Sequence, residues 1–214
     1  MAATNAKLPF LGHGGIRNNA TRTSNALTET QCRELMAATT FAADIGLAFN
    51  ILLTIHFEAG DINDGQAGAA LRSFLKSASG WTAKRGGRLA WAFVREHGAG
   101  KGSHAHIILH VPPALRRAFT RRQRQWLQRA GVHPAKGVIL SRRIGGTIRA
   151  YQQSPDSYFP NLGAALGYCL KGADATAAKA LALTRLQPGG RIIGKRCGTS
   201  QNIGRAARAD VDKC

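Results

Sequence analysis

His104 and His106 stand two residues apart in the run HAHIILHV. Side chains alternate along a strand, so His104, His106, Ile108 and His110 share one face. Ala105, Ile107, Leu109 and Val111 take the other, and all four are apolar, which gives that face a core to pack against. Two neutral imidazoles at i and i+2 can share one metal ion. Upstream lies RLAWAFVRE, joined to the histidine run by HGAGKGS, whose three glycines suit a hairpin loop. Closing that hairpin sets Glu96 opposite His104 and Val94 opposite His106, so a carboxylate joins the two imidazoles on one face. Two imidazoles and a carboxylate leave half an octahedral shell for substrate oxygens, a set that suits Mn²⁺ or Mg²⁺ better than structural zinc. The competing reading is a chance H-x-H pair on a solvated strand. The register of Glu96 and the apolar opposite face weigh against it. His97, His110 and His56 are further candidate ligands, and His97 competes with Glu96 for the third place.

Tyr168 and Lys171 form a second pair. At i and i+3 on a helix they are neighbours. The ammonium would favour the phenolate and could hold a phosphate oxygen, and tyrosine is a usable covalent nucleophile once activated. The plainer alternative is a core tyrosine beside a lysine that reaches to water.

These residues need a frame. NILLTIHF (50–57) reads as a buried strand, RLAWAFVRE (88–96) as a second, HAHIILHV (104–111) as a third and KGVILS (136–141) as a fourth; TIRAYQ (147–152) could add a short one. Helices are expected from Thr28 to Gly46, over 65–81, from Pro112 and Pro113 to Ala130, and over 162–172 with a continuation through ATAAKALALTRL. In the 113–130 helix, Trp126 falls at helical spacing with Leu115, Phe119 and Leu127, which favours a core role over a stacking platform. The order β-α-β-β-α-β followed by helices predicts an α+β fold: a ferredoxin-like, RRM-like antiparallel sheet with helices on one face. Residues 1–27 read as a flexible tail, 28–187 as the folded domain and 188–214 as a basic, glycine-rich tail that either clamps a polyanion or stays loose.

Charge narrows the partner. The 214 residues carry 30 Lys+Arg against 11 Asp+Glu, a formal +19, while 44% hydrophobic composition allows a core. A field of that sign draws polyanions. Between His97 and Pro155 there are many cations and no acid. Arg116, Arg117, Arg121, Arg122, Arg124, Arg142 and Arg143 are therefore candidates to face phosphates, because a merely solvated face mixes signs. Cys32, Cys169, Cys197 and Cys214 form no C-x-x-C pair, which argues against a zinc knuckle or a disulfide framework. With neither a secretory leader nor a long apolar run, a reduced, cytoplasmic protein without a membrane partner is expected.

Taken in order, NILLTIHF, then Glu96 with HAHIILHV, then GYCLKG resemble the three motifs of HUH endonucleases, over roughly residues 48–172. That superfamily includes rolling-circle replication initiators of plasmids, viruses and phages, with relaxases and single-tyrosine transposases as relatives. The resemblance implies an HUH nuclease fold in which His104, His106 and the acidic Glu96 hold a divalent ion. Tyr168 would attack the scissile phosphate, with Lys171 beside it. A single tyrosine occupies the motif, since position 164 is Ala, which places the chain with single-tyrosine enzymes. The implied activity is nicking and rejoining of a single-stranded or hairpin DNA origin through a 5′-phosphotyrosine. In the absence of a P-loop, a host helicase would unwind and a host polymerase extend the free 3′-OH. Transposition, conjugal mobilisation and a non-catalytic nucleic-acid-binding descendant are the alternatives.

Overall fold

The computed structural model describes residues 21–211. Residues 1–20 and 212–214, the outer parts of both expected tails, lie outside the described residues. A short strand β1 (Thr23–Ser24) leads through the fully buried Leu27 into α1 (Glu29–Asp44). Thr28 caps α1 as its sequence predicts. Its side chain accepts from the Gln31 amide while the Gln31 side chain accepts from the Thr28 amide, a reciprocal capping box. The buried stripe of α1 is Cys32, Leu35, Ala38 and Ala42, so Met36 is left exposed.

Next come β2 (Ile51–His56), α2 (Asp64–Ala83), β3 (Ala90–Gly98), β4 (Gly102–His110), α3 (Arg116–Arg129) and β5 (Ile139–Arg143). They form an antiparallel sheet in the order β5-β2-β4-β3. This is the ferredoxin-like order expected of two βαβ crossovers that share a hairpin, and the fold is α+β.

Strand alternation divides the sheet into two faces. Ile51, Leu53, Ile55, Phe93, Ala105, Ile107 and Leu109 pack beneath α2 and α3 with Phe74, Phe119, Trp126 and Leu127. Burying each large side chain contributes about 1.5–3 kcal/mol. Trp126 is core, edge-on to Phe74, Phe119 and Trp81. The opposite face carries Ala90, Ala92, Val94 and Ile108 beside the histidines. It is covered too, by α1 and by a later helix, so the sheet has helices on both sides.

After β5, Gly145 and Gly146 adopt positive φ (74° and 81°) and turn the chain back. The segment TIRAYQ therefore does not add a strand. It ends in α4 (Ala150–Gln153), whose Tyr151 stacks edge-on against Tyr158 of α5 (Pro155–Leu170). α6 (Ala175–Ala180) stops well short of Leu186, with Ala182 at a φ of 49°.

The segment from Pro188, expected as a tail, is built into the fold. β6 (Ile192–Ile193) pairs with β1, and β7 (Cys197–Thr199) pairs with β3 as a fifth strand of the main sheet; α7 (Arg205–Val211) follows. Arg196 between the two strands is 2% exposed. Its guanidinium donates to the Ser24 hydroxyl and to the carbonyls of Ser24, Arg95, Gly189 and Gly190. A buried cation hydrogen-bonded to this many acceptors ties both ends of the chain to β3. Among the described residues no helix is long and apolar enough to cross a membrane.

Candidate active site

The β3–β4 hairpin sets the geometry. Glu96 pairs with His104 and Val94 with His106, the register expected from the sequence, although both strands run on to a tighter turn at 99–101. Gly102 makes that turn possible. At a φ of 58°, any Cβ there would lie 1.9 Å from the Glu58 carboxylate, which accepts from the Ser103 amide. On the other side β2 aligns Thr54 with His106 and His56 with His104.

Glu96, His104 and His106 are all buried, and their ligand atoms lie within 4.8 Å of one another. His104 Nδ1 is 2.9 Å from the Gly102 carbonyl. A carbonyl only accepts, so Nδ1 carries the proton, and the neutral form of the ring has its lone pair on Nε2. That Nε2 lies 3.3 Å from Glu96 Oε2. His106 is held the same way, with Nδ1 3.0 Å from Thr54 Oγ1 and Nε2 3.4 Å from the same carboxylate oxygen. Burial, together with the nearby Lys171 charge and despite Glu96, lowers His106 to about 4, so it is neutral at physiological pH. Burial alone would raise the Glu96 carboxyl, but its close polar neighbours His104, His106 and the bonded Lys171 ammonium hold it far below the usual carboxylate range.

Lone pairs from three groups thus converge on one point, which is tolerable only if a cation sits there. Here the cation is the Lys171 ammonium, bonded to Glu96 Oε2 and 3.3 Å from His106 Nε2. Glu96 Oε1, buried without a partner, adds an unused acceptor. Spacings of 3.3–3.4 Å between donors match two ligands each about 2.1 Å from a shared ion. The residues fit a divalent metal site, and the hydrogen bonds to the two Nδ1 atoms aim both ligands as an outer shell should.

The other histidines fall elsewhere. His97 points to the opposite face, 3.0 Å from Glu58, so Glu96 is the acidic member of the group. His110 binds the Ala48 carbonyl at 2.9 Å. His56 stacks on His104, ring centroids 5.6 Å apart, at the edge of the site.

α5 brings up the tyrosine. Leu162, Ala165 and Cys169 face the core, so Tyr168 is directed along the sheet toward His106, ring centroids 4.5 Å apart. Lys171, one turn on, lies 4.4 Å from the centre of the Tyr168 ring. Burial, and next the Glu96 charge, raise the Tyr168 phenol; Arg185 and Arg142 are the cations that oppose this. The sequence assigned that part to Lys171, but its charge is directed to Glu96. Arg185 was missed. Its guanidinium carbon lies 4.8 Å from the ring centroid, delivered by the irregular segment after α6, and nothing in its local pattern sets it apart.

A groove of about 520 Å³ opens over the site, bordered by His104, His106, Tyr168, Arg142, Arg143 and Arg185. The expected phosphate-facing arginines divide accordingly. Arg142 and Arg143 flank the groove. Arg116, Arg117, Arg121, Arg122 and Arg124 ride on α3, which buries Phe119, Trp126 and Leu127 against the other face of the sheet. Periodicity told which residues of α3 face inward but not which side of the sheet it covers.

No protein-family model and no curated protein matches the chain. Among solved structures, it is similar to the N-terminal nuclease domain of the minute virus of mice non-structural protein 1, described as having Zn²⁺ coordination in its active-site pocket and a mode of DNA recognition at the origin of replication. The two share 10% identity over 64% of this chain and 70% of that one, with a TM-score of 0.30. At that level the likeness assigns nothing to individual residues here.

Proposed function

We propose that this protein is an HUH-type nickase. It cuts and rejoins single-stranded DNA through a covalent bond to Tyr168, and it initiates rolling-circle replication of a plasmid or phage. The observation that carries the reading is the convergence of Glu96, His104 and His106 on one cation position directly beside the Tyr168 ring. A Mn²⁺ or Mg²⁺ ion held by those three residues would supply Lewis-acid polarisation of a phosphate oxygen.

The chain's own groups account for the rest. Arg142 and Arg185 hold the scissile phosphate in the groove and lower the cost of ionising the phenol at the moment of attack. The Tyr168 oxygen forms a bond to phosphorus as the bond from phosphorus to the 3′ oxygen breaks. The phenolic proton leaves to solvent, and the departing oxygen takes up a proton to become a free 3′-OH. One phosphodiester has replaced another, so a 3′-OH returning to the groove reverses the step and frees Tyr168. Thr54 and the Gly102 carbonyl fix the two imidazoles, both of which are buried.

The test is incubation with single-stranded DNA from the sequence flanking the protein's own gene, resolved on a denaturing protein gel. A Mn²⁺-dependent shifted band that is absent in Tyr168→Phe supports the reading. Binding without any adduct across tiled substrates would make the chain a DNA-binding protein instead.

A further inference from the structure

A second cavity, of about 580 Å³, lies on the opposite face of the sheet, between α2 and the edge formed by β3 and the C-terminal segment. Its floor is apolar and aromatic. Trp91 and Phe93 alternate onto that face, ring centroids 5.8 Å apart and tilted by 34°, with Leu71 and Leu75 of α2 beside them. Its rim is cationic. Arg72 and Lys76 come from α2 and Lys195 from the segment before β7, and among the described residues no carboxylate lines the space. The buried Arg95 at its inner end is neutralised by Asp64 at 2.5 Å, so the rim charges are not answered from below.

The wall is built rather than incidental. Ser200 accepts from the Trp91 amide at 3.0 Å and its own amide donates to the Trp91 carbonyl at 2.8 Å, fixing the indole's backbone. Asn202 donates to the Leu89 carbonyl at 3.1 Å.

An aromatic floor and a rim of cations match two parts of a nucleotide, a flat base and a phosphate. The volume is within the range of small-ligand sites. We propose that this cavity binds one nucleotide, with its base against Trp91 and its phosphate on Arg72, Lys76 and Lys195. The site is separate from the histidine groove and does not depend on the nicking reading. If the nucleotide belongs to a DNA strand, the site anchors that strand on the face away from the cut.

The probes are dAMP and a hexamer of deoxyadenosine, titrated into the full-length protein in EDTA, where metal-dependent cleavage cannot contribute. Tryptophan fluorescence reports occupancy, because Trp91 borders the cavity while Trp126 is core. Saturable quenching is expected, lost in Trp91→Leu and weakened about tenfold, which is about 1.4 kcal/mol, by Arg72→Glu or Lys76→Glu. Arg142→Ala, across the sheet, should leave dAMP quenching unchanged. Quenching by dAMP identifies a free-nucleotide site, and quenching by the hexamer alone identifies a strand anchor. The two surface charge reversals on α2 keep the test valid should Trp91→Leu fail to fold. The proposal is overturned if neither probe saturates, if quenching persists in Trp91→Leu, or if it follows Arg142 instead of Arg72 and Lys76.

Discussion

Replacing Lys171 with Met tests whether its ammonium occupies the metal position. In the metal-free protein, Lys171 is, among the described residues, the one lysine or arginine bonded to Glu96, which is 3% exposed. Removing one partner of a buried ion pair costs about 3–5 kcal/mol, because the remaining charge stays desolvated. For a domain of this size each kcal/mol lowers the melting temperature by about 2–4 °C, so Lys171→Met in EDTA should melt roughly 6–20 °C below wild type. Divalent metal should stabilise the two proteins unequally. In wild type, ion binding must displace the ammonium from Glu96, which reduces the net gain. In the variant the carboxylate is free, and metal at a hundred times its dissociation constant stabilises by about 2.7 kcal/mol. The assay is thermal unfolding by circular dichroism with and without Mn²⁺. A larger Mn²⁺ shift in Lys171→Met than in wild type is expected. Equal shifts, or a variant as stable as wild type in EDTA, would refute the reasoning.

Three other outcomes follow from the geometry. Burial depresses His106 to about 4 and lowers His110 from 6.5, so on acidification the unfolded chain takes up these protons first. Their contribution to stability is complete above pH 6.5 and is lost as pH falls toward 4; a metal-free melting temperature that peaked at pH 5 would contradict this. Arg142→Ala and Arg185→Ala should each weaken single-strand DNA binding and flatten its salt dependence by about one unit of slope, whereas Arg121→Ala with Arg124→Ala should leave cleavage rates unchanged. The reverse pattern in a filter-binding and cleavage series would move the DNA path to α3. Arg196→Met should cost about 3 kcal/mol or more in urea unfolding, since several buried acceptors lose their donor, and hydrogen exchange should show β7 released from β3. Unchanged protection of the β3 amides would show that β7 is held by something else.

The sheet was legible because alternation is a local property. One apolar-polar run, His104 to Val111, determines which side chains share a face, and three glycines in the preceding connection determine which residues oppose each other. The same logic predicted Thr28 as a cap and Trp126 as core. What was not legible depends on distant parts of the chain. Two- and three-residue strands such as β6 and β7 have too little pattern to read, and the lysines, arginines and glycines around them look like a tail until Arg196 is seen among its carbonyl acceptors. Lys171 was expected to act on Tyr168, but no spacing rule shows that Glu96, 75 residues earlier, binds its ammonium first. Arg185 reaches Tyr168 from a segment without periodicity. The α3 arginines were assigned to DNA on composition, and only the packing of Phe119 and Trp126 shows which side of the sheet they occupy.

The most direct test of the central claim is peptide mapping of the DNA-linked species by mass spectrometry after nuclease trimming. The account predicts a 5′-phosphonucleotide on Tyr168 and on neither other tyrosine. Tyr158 is 1% exposed with its hydroxyl donated to the Phe49 carbonyl, and Tyr151 packs edge-on against Tyr158 and Phe159. A nucleotide on Tyr151, or none on any tyrosine despite metal-dependent cleavage, would contradict it.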